Sequence, residues 1–264
     1  MPQITSRQNP RVKAAAALKN RKARDASGLA IVYGPRETLR ALAAGADLVE
    51  AFLCRDLFCG AEATDAAEAL RASGVLLHET TPEVFERLAY GDRLDGVVSV
   101  VRPVPRTLEA LSLGDRPLIA VVEGVEKPGN LGAILRSADG AGLDAVVLAD
   151  PVIDLFGPNV IRASVGAVFK PNIAVGGAAE VIAWVRGLGL PLYATRPDAT
   201  QDYTAADFSS GGVIVLGAEA TGLSDAWRGE GVNAIALPMN GIADSLNLSA
   251  TAAVLFYEAL RQRG

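Results

Sequence analysis

Five short apolar segments in the second half of the chain constrain its fold more than any other feature. They read LIAVVEG from Leu118, DAVVLAD from Asp144, PLYAT from Pro191, VIVLG from Val213 and NAIALP from Asn233. None of them alternates clearly between apolar and polar residues, which is typical of parallel strands buried on both faces. Helices are predicted between and after these strands, beginning near Asn130, Asn159, Ala178 and Ser245. The sequence therefore predicts an α/β fold with a parallel sheet.

The first half also alternates between strands and helices with short connections. Strands are predicted at LAIVYG, LVEAFLC, VLLHE and GVVSVV. Asn9-Pro10 is typical of a helix start, so one helix is expected through RVKAAAALKNRKAR. A Pro-rich stretch then separates the two halves. We predict a first domain over residues 1–105, a linker over 106–116 and a second domain over 117–264.

The charge of the chain is distributed unevenly. Seven of its 25 Lys and Arg residues lie within residues 1–24, which contain no Asp or Glu, although the net charge of the whole chain is −5. These seven are Arg7, Arg11, Lys13, Lys19, Arg21, Lys22 and Arg24. A basic segment on an acidic chain suits a polyanion such as a nucleic acid. A solvated helix face explains the same residues equally well.

Several classes of protein are poorly supported by the sequence. No apolar run reaches the ~18 residues that span a bilayer, and the start lacks the apolar segment of a secretory signal. A cytoplasmic protein without a membrane partner is therefore expected. Cys54, Cys59 and the single histidine, His78, are too few for a zinc site, so no metal is expected. The glycine fingerprints of dinucleotide and P-loop proteins are absent, as is the G-x-S-x-G of α/β-hydrolases.

Three stretches place polar residues where apolar strands end. The first leads from a strand through a Gly/Pro loop to Asn130 and Arg136, the second carries Glu219 between glycines, and the third brings Ser245 and Asn247 to a helix start. Each has an ordinary explanation as a helix cap, a surface residue or a turn. However, an arginine among apolar neighbours inside a helix needs a partner or an anion.

Taken together, the three stretches resemble the signature motifs of the SpoU (TrmH) family of RNA 2′-O-ribose methyltransferases, part of the SPOUT superfamily. The motif positions are Asn130, Gly132 and Arg136, then Gly217, Glu219, Gly222 and Leu223, then Pro238, Met239, Ser245, Leu246, Asn247 and Ser249. The opening from Ile4 to Lys13 is similar to members with an N-terminal, ribosomal-protein-like domain that binds the RNA substrate. Tyr33-Gly34 departs from the Glu-Gly of many members.

This resemblance implies a C-terminal SPOUT α/β trefoil-knot domain, a smaller N-terminal α/β RNA-binding domain and a homodimer. It implies S-adenosylmethionine as the cofactor, bound near Thr195, Leu216, Gly217, Leu237, Met239 and Leu246. It implies catalytic roles for Asn130, Arg136, Glu219, Ser245 and Asn247. We expect the seven basic residues of the first 24, together with Arg162, to contact RNA phosphates.

The function implied by the resemblance is S-adenosylmethionine-dependent 2′-O-ribose methylation of RNA, with large-subunit rRNA of the 23S type as the expected substrate. Two alternatives remain open from the sequence. One is a tRNA 2′-O-ribose methyltransferase, and the other is a non-catalytic protein that binds RNA during ribosome assembly.

Overall fold

A computed structural model describes residues 3–91 and 94–264. Its α-helices are α1 (Pro10–Ala17), α2 (Arg21–Ser27), α3 (Pro35–Ala43), α4 (Ala61–Ala72), α5 (Pro82–Leu88), α6 (Pro128–Ala141), α7 (Pro158–Ala163), α8 (Ala178–Gly187) and α9 (Leu248–Arg263). Its strands are β1 (Ala30–Tyr33), β2 (Asp47–Leu53), β3 (Leu76–Glu79), β4 (Val97–Arg102), β5 (Leu118–Glu123), β6 (Ala145–Ala149), β7 (Ile173–Gly176), β8 (Leu192–Thr195), β9 (Gln201–Asp202), β10 (Gly212–Leu216) and β11 (Val232–Ala236). None of the helices in these ranges combines the length and the apolar composition that a membrane span requires.

Contacts group the chain into two compact units. Unit 1 holds the described residues up to Pro105 together with Asp154–Lys170, and unit 2 holds Arg106–Ile153 and Pro171–Gly264. The second domain predicted from the sequence, residues 117–264, is one continuous stretch. The grouping differs from the predicted domains in two segments. Residues 106–116, predicted as a linker, group with unit 2, and Asp154–Lys170 follows β6 in the chain and yet packs in unit 1.

Unit 1 is built on a four-stranded sheet of order β1-β4-β2-β3. The β4 strand is antiparallel to both of its neighbours, whereas β2 and β3 are parallel. One face of the sheet packs against α1 and α5 through Val12, Phe52 and Phe85. The other face packs against α4 through Leu53 and Leu70. All four strands predicted for this half of the chain are present.

The single helix expected after Pro10 is a wrong prediction, because α1 ends at Ala17 and a new helix begins at Arg21. Arg24 accounts for the break. Its buried Nη1 donates to the carbonyl oxygens of Leu18 at 2.7 Å and Lys19 at 2.9 Å. In a continuous helix those carbonyls accept backbone N–H groups four residues further on. A side chain therefore replaces the helix hydrogen bonds at this turn.

The Asp154–Lys170 segment is held within unit 1 by three polar contacts. Arg24 Nε donates to Asp154 Oδ2 at 2.7 Å, and the hydroxyl of Tyr90 donates to Asn159 Oδ1 at 2.9 Å. Arg40 Nη1 donates to the carbonyl of Val165 at 2.6 Å. These contacts fix the position of α7 and, with it, the backbone of Arg162.

Unit 2 is built on a seven-stranded sheet of order β7-β6-β5-β10-β8-β11-β9. Every neighbouring pair in it is parallel, as the unbroken apolar segments predict. The five strands predicted from the sequence form its centre. The two short strands that sequence reasoning missed, β7 and β9, form its edges.

Helices cover the unit 2 sheet. Val181 and Val185 of α8 pack in one core with Ile119 and Val215. Helices α6 and α9 pack against each other, and α9 also contacts β10. One face of α9 is buried, and Leu260 at the end of the helix is 41% exposed. The buried residues are Leu248, Ala252, Leu255, Phe256 and Ala259.

Candidate active site

A cavity of about 580 Å³ opens where three neighbouring strands of unit 2 end. Carboxyl ends of parallel strands lie at one edge of a sheet, which is where open α/β folds bind ligands. Thr195 ends β8, Gly217 follows β10 and Leu237 follows β11. Met239, residues 244–248, Thr251 and Lys127 also line the wall. The volume lies in the usual range for a small-molecule site, about 300–1,000 Å³.

Five of the six residues predicted to surround the cofactor line this cavity. They are Thr195, Gly217, Leu237, Met239 and Leu246. The sixth, Leu216, is the last residue of β10, and its side chain is fully buried in the sheet. The hydroxyl of Thr195 donates to the carbonyl of Val215 at 2.9 Å and so joins the ends of β8 and β10.

The turn after β10 requires glycine at Gly217. The backbone N–H of Gly222 donates to the carbonyl of Ala218 at 2.9 Å, which closes a tight turn. A Cβ atom at Gly217 would collide with the backbone of Gly222 and Leu223. The same turn contains Glu219, which lines the cavity.

Three of the predicted catalytic residues form one hydrogen-bonded network. Asn130 Nδ2 donates to Glu219 Oε1, and Asn247 Nδ2 donates to Asn130 Oδ1 at 3.2 Å. Asn247 Oδ1 accepts from the backbone N–H of Ser249 at 2.9 Å and from its hydroxyl at 2.7 Å, which caps α9. The Asn130 amide must direct its Nδ2 toward Glu219, because a carboxylate only accepts hydrogen bonds. The Asn247 amide directs its Oδ1 toward the start of α9, since an oxygen that caps a helix cannot donate, and this leaves its Nδ2 to donate to Asn130. The network thus joins residues from all three sequence stretches.

Neither Asn130 nor Ser245 caps a helix, although both lie near a helix start. Asn247, rather than Ser245, caps α9, and Lys127, rather than Asn130, occupies the cap position of α6. The Asn130 side chain is therefore free of a capping role and turns toward Glu219.

The other two predicted catalytic residues lie outside this network. Ser245 is exposed and lines the cavity. Arg136 lies on α6, and its side chain is exposed, without an ion pair or hydrogen bond to any described residue. The structure therefore leaves the guanidinium of Arg136 available to an anion.

Glu123 is a structural support of the site that was not predicted from the sequence. This residue ends β5, is 8% exposed, and accepts from the backbone N–H and the hydroxyl of Ser224, both at 2.8 Å. It fastens the segment that follows the Gly217–Gly222 turn. The signal in the sequence was a charged carboxylate at the end of an otherwise apolar strand.

The predicted RNA-binding residues divide into two groups in unit 1. Lys13, Lys22 and Arg162 are exposed, and their side chains have no polar partner in the part of the chain that the structure describes. The remaining five have partners: Arg7 with Glu86, Arg11 with Glu50, Arg21 with Asp25, Arg24 with Asp154, and Lys19 with the carbonyls of Arg87 and Ala89.

Arg24 differs from the other paired cations because it is buried. Its side chain is 9% exposed, whereas those of Arg7, Arg11 and Arg21 are more than half exposed. Exposed ion pairs contribute little to stability and exchange readily for a phosphate. The contacts of Arg24 instead indicate a structural role, in contrast to the phosphate contact expected from its position in the basic segment.

Sequence profiles identify the family. The profile of the SpoU rRNA Methylase family matches residues 117–257, and that of the MRM3-like substrate binding domain matches residues 9–99. The chain belongs to the SpoU rRNA Methylase family.

Individual SpoU relatives agree with this assignment. A 23S rRNA (uridine(2479)-2′-O)-methyltransferase of Streptomyces viridochromogenes is 34% identical over 63% of this chain, and the match spans 60% of that enzyme's length. A crystal structure of an RNA 2′-O ribose methyltransferase is 41% identical, with a TM-score of 0.86 and 99% of each chain covered. The SpoU methyltransferase AviRb from Streptomyces viridochromogenes, in complex with AdoMet, is 29% identical, with a TM-score of 0.85 and 97% of this chain and 98% of that chain covered.

The predicted family, fold class, enzyme class and cofactor are thereby confirmed, and the SpoU protein described here is a methyltransferase that uses S-adenosylmethionine. The cavity fits this molecule. Ile235, Leu237 and Met239 offer apolar surface for an adenine ring, and the Gly217–Gly222 turn brings backbone polar groups to the wall. The described residues contain no cluster of three or more His, Cys, Asp or Glu that could hold a metal ion.

Proposed function

We propose that this protein transfers a methyl group from S-adenosylmethionine to the 2′-oxygen of a ribose in large-subunit ribosomal RNA. The observation that carries the proposal is the Asn130–Glu219–Asn247 network at the methyl-donor cavity. The 23S rRNA 2′-O-methyltransferase relative supports the substrate, and the 41% identical RNA 2′-O ribose methyltransferase supports the reaction.

The chemistry assigns distinct tasks to the network. S-adenosylmethionine supplies a methyl group on a positively charged sulfur. The chain must hold the ribose hydroxyl in line with that methyl group and assist the loss of its proton. We assign the orientation of the ribose to Asn130 and Asn247, whose amides are fixed by Glu219 and by the cap of α9. Ser245 lies on the cavity wall, and we assign its hydroxyl to the same set of residues that orient the ribose.

We assign to Arg136 the stabilisation of negative charge. A guanidinium remains protonated in proteins and is therefore a poor general base. Its planar donors suit the phosphate beside the target ribose and the alkoxide that develops on the 2′-oxygen. The exposed position of Arg136, without a partner among the described residues, agrees with this role.

We place the methyl donor between Thr195, Gly217, Leu237, Met239 and Leu246, with the backbone of Leu216 behind it. We also propose that the three segments around this cavity form a trefoil knot. The sheet order supports the knot, because β10 lies between β5 and β8 although it follows both in the chain.

We further propose a homodimer formed through α9. Val254, Tyr257 and Leu260 are spaced by three residues, so they form one stripe, and they are 37%, 52% and 41% exposed. A second copy of the chain would cover this apolar stripe. Sedimentation of the wild type and of Tyr257→Glu tests the proposal, because the charged side chain should shift the protein to a monomer.

We assign RNA binding to unit 1, with Lys13, Lys22 and Arg162 as phosphate contacts and with Arg7, Arg11, Lys19 and Arg21 as secondary contacts. The match of residues 9–99 to a substrate binding domain supports this assignment. Because ribosomal RNA is the proposed substrate, we place the enzyme in the cytoplasm.

The decisive experiment is the transfer of labelled methyl groups to purified large-subunit rRNA, small-subunit rRNA, bulk tRNA and assembled large subunits. Digestion to nucleosides and mass spectrometry then identify the product. We expect one 2′-O-methylated nucleoside from large-subunit rRNA, free or assembled, and none with Asn130→Ala.

Two outcomes would contradict the proposal. Product found in tRNA alone would make the protein a tRNA ribose methyltransferase. RNA binding without any binding of S-adenosylhomocysteine would instead support a non-catalytic role in ribosome assembly.

A further inference from the structure

The cavity wall contains two charged side chains that the proposed reaction does not use. Four charged residues line it, namely Lys127, Arg196, Glu219 and Asp244. Arg196 is held by Asp198 through hydrogen bonds of 2.9 and 3.1 Å, and its side chain is only 10% exposed. Glu219 accepts from Asn130. These two charges are already engaged within the protein.

Lys127 and Asp244 are in a different situation. Both are exposed at the cavity, and neither side chain forms an ion pair or hydrogen bond with another residue in ranges 3–91 and 94–264. One carries a positive charge and the other a negative charge. They come from different segments, since Lys127 precedes α6 and Asp244 lies before α9.

This pair of charges matches one end of the methyl donor. The amino-acid end of S-adenosylmethionine is a zwitterion with one carboxylate and one ammonium group, whereas its adenosine end is uncharged near neutral pH. A charge that is removed from water needs an opposite charge or hydrogen bonds in its new site. Lys127 offers a positive charge for the carboxylate, and Asp244 offers a negative charge for the ammonium group. The apolar and backbone groups of the wall suit the adenosine.

We propose that Lys127 binds the carboxylate of the methyl donor and that Asp244 binds its ammonium group. This inference rests on the proposed function, because it assumes that the donor occupies this cavity. It assigns specificity for the amino-acid end of the donor to these two side chains. The adenosine end is then held by Thr195, Gly217 and the apolar wall, independently of both charges.

The test measures the binding of three ligands to the full-length protein by isothermal titration calorimetry. S-adenosylhomocysteine carries both charged groups, and its decarboxylated analogue, 5′-(3-aminopropyl)thioadenosine, retains only the ammonium group. 5′-Methylthioadenosine lacks both. The variants are Lys127→Gln and Asp244→Asn.

We expect each variant to weaken S-adenosylhomocysteine binding about tenfold, the typical effect of losing one hydrogen bond to a charged group. Lys127→Gln should leave the affinity for the two ligands without a carboxylate unchanged. Asp244→Asn should weaken the aminopropyl analogue about tenfold and leave 5′-methylthioadenosine unchanged.

Matched controls remove the same charges elsewhere in unit 2. Arg186→Gln removes a positive charge from the exposed side of α8, and Glu126→Gln removes a negative charge beside Lys127. Neither residue lines the cavity. Both controls should bind all three ligands as the wild type does.

The proposal is overturned if the affinity of Lys127→Gln or Asp244→Asn for S-adenosylhomocysteine is unchanged, or if either variant weakens all three ligands equally. Unchanged ligand affinity with weaker RNA binding by Lys127→Gln would assign that lysine to an RNA phosphate instead. A wild-type protein that binds none of the three ligands would contradict the proposed function itself, which separates the two failures.

Discussion

Asn247 Nδ2 donates a hydrogen bond to Asn130 Oδ1 at 3.2 Å, although the two residues lie 117 positions apart in the chain. The other end of the same amide caps α9, where Asn247 Oδ1 accepts from the backbone of Ser249 at 2.9 Å. One side chain therefore couples the start of a helix to the orientation of a proposed catalytic amide. The two tasks can be separated by mutation.

Asn247→Asp should keep the cap and lose the catalytic orientation. An aspartate caps a helix as well as asparagine does, but its ionised carboxylate cannot donate to Asn130. We expect wild-type thermal stability and a methyl-transfer rate about tenfold lower. Asn247→Ala should show the same loss of rate together with a loss of about 1 kcal/mol in unfolding free energy. A normal rate for Asn247→Asp would show that methyl transfer does not depend on the orientation of the Asn130 amide by Asn247.

Arg136→Ala should lower the rate of methyl transfer about 100-fold, the usual effect of removing one donor that stabilises transition-state charge. Arg136→Lys should recover only part of that rate, because an ammonium group cannot bind a phosphate in the bidentate manner of a guanidinium. The affinity for S-adenosylhomocysteine should not change. Single-turnover methylation and calorimetry check these two expectations, and an intact rate in Arg136→Ala would refute the assigned role.

Arg24→Ala and Lys22→Ala should separate structure from RNA binding within one helix. Removing Arg24 leaves Asp154 without its ion-pair partner, so we expect a loss of about 3 kcal/mol in the stability of unit 1. Lys22→Ala should leave stability unchanged and reduce the slope of log affinity against log salt by about 1. Urea unfolding and RNA binding over a salt series measure both effects. Equal effects of the two substitutions would contradict the distinction drawn between them.

Gly217→Ala should abolish S-adenosylhomocysteine binding, because the added Cβ collides with the backbone of the Gly222 turn. Gly187→Ala is the matched control. A Cβ at Gly187 meets no atom within 4 Å, and alanine in a helix is favoured over glycine by about 0.5–1 kcal/mol. We therefore expect the control to bind the ligand normally and to be slightly more stable. Calorimetry and thermal unfolding report the two outcomes.

Acid should weaken the contacts of Glu258 on α9. Hydrogen bonds from Arg261 and Gln262 lower the pKa of the Glu258 carboxyl group from its ordinary value of 4.5 to about 2. Because the folded pKa is the lower one, this stabilisation is complete above pH 4.5 and is lost as the pH falls toward 2. The stability difference between wild type and Glu258→Gln should therefore shrink from pH 6 to pH 3. A difference that does not depend on pH would show that the carboxylate is not stabilised in the folded protein.

The sequence predicted regular elements well wherever local pattern and burial agree. The apolar segments of β5, β6, β8, β10 and β11 need no distant information, since strands buried on both faces must be apolar throughout. The edge strands β7 and β9 were missed because they do not form long, unbroken apolar segments. Only two residues form β9, and β7 ends in a glycine, so neither carries the pattern. The break between α1 and α2 was missed because a side chain, Arg24, takes over the backbone carbonyls at that turn.

By itself, the sequence determined the parallel α/β fold, the family and the residue types of the site, because strand burial and motif spacing are local properties of the chain. Only the tertiary structure decided which of those residues act together. Lys22 and Arg24 are equivalent in a count of charges, yet one is exposed and the other is buried against Asp154. Asn130, Glu219 and Asn247 meet because the parallel strands that precede them, β5, β10 and β11, end at one edge of the sheet. Partners of polar groups are set by contacts between distant segments, and these contacts exist only once the sheet has formed.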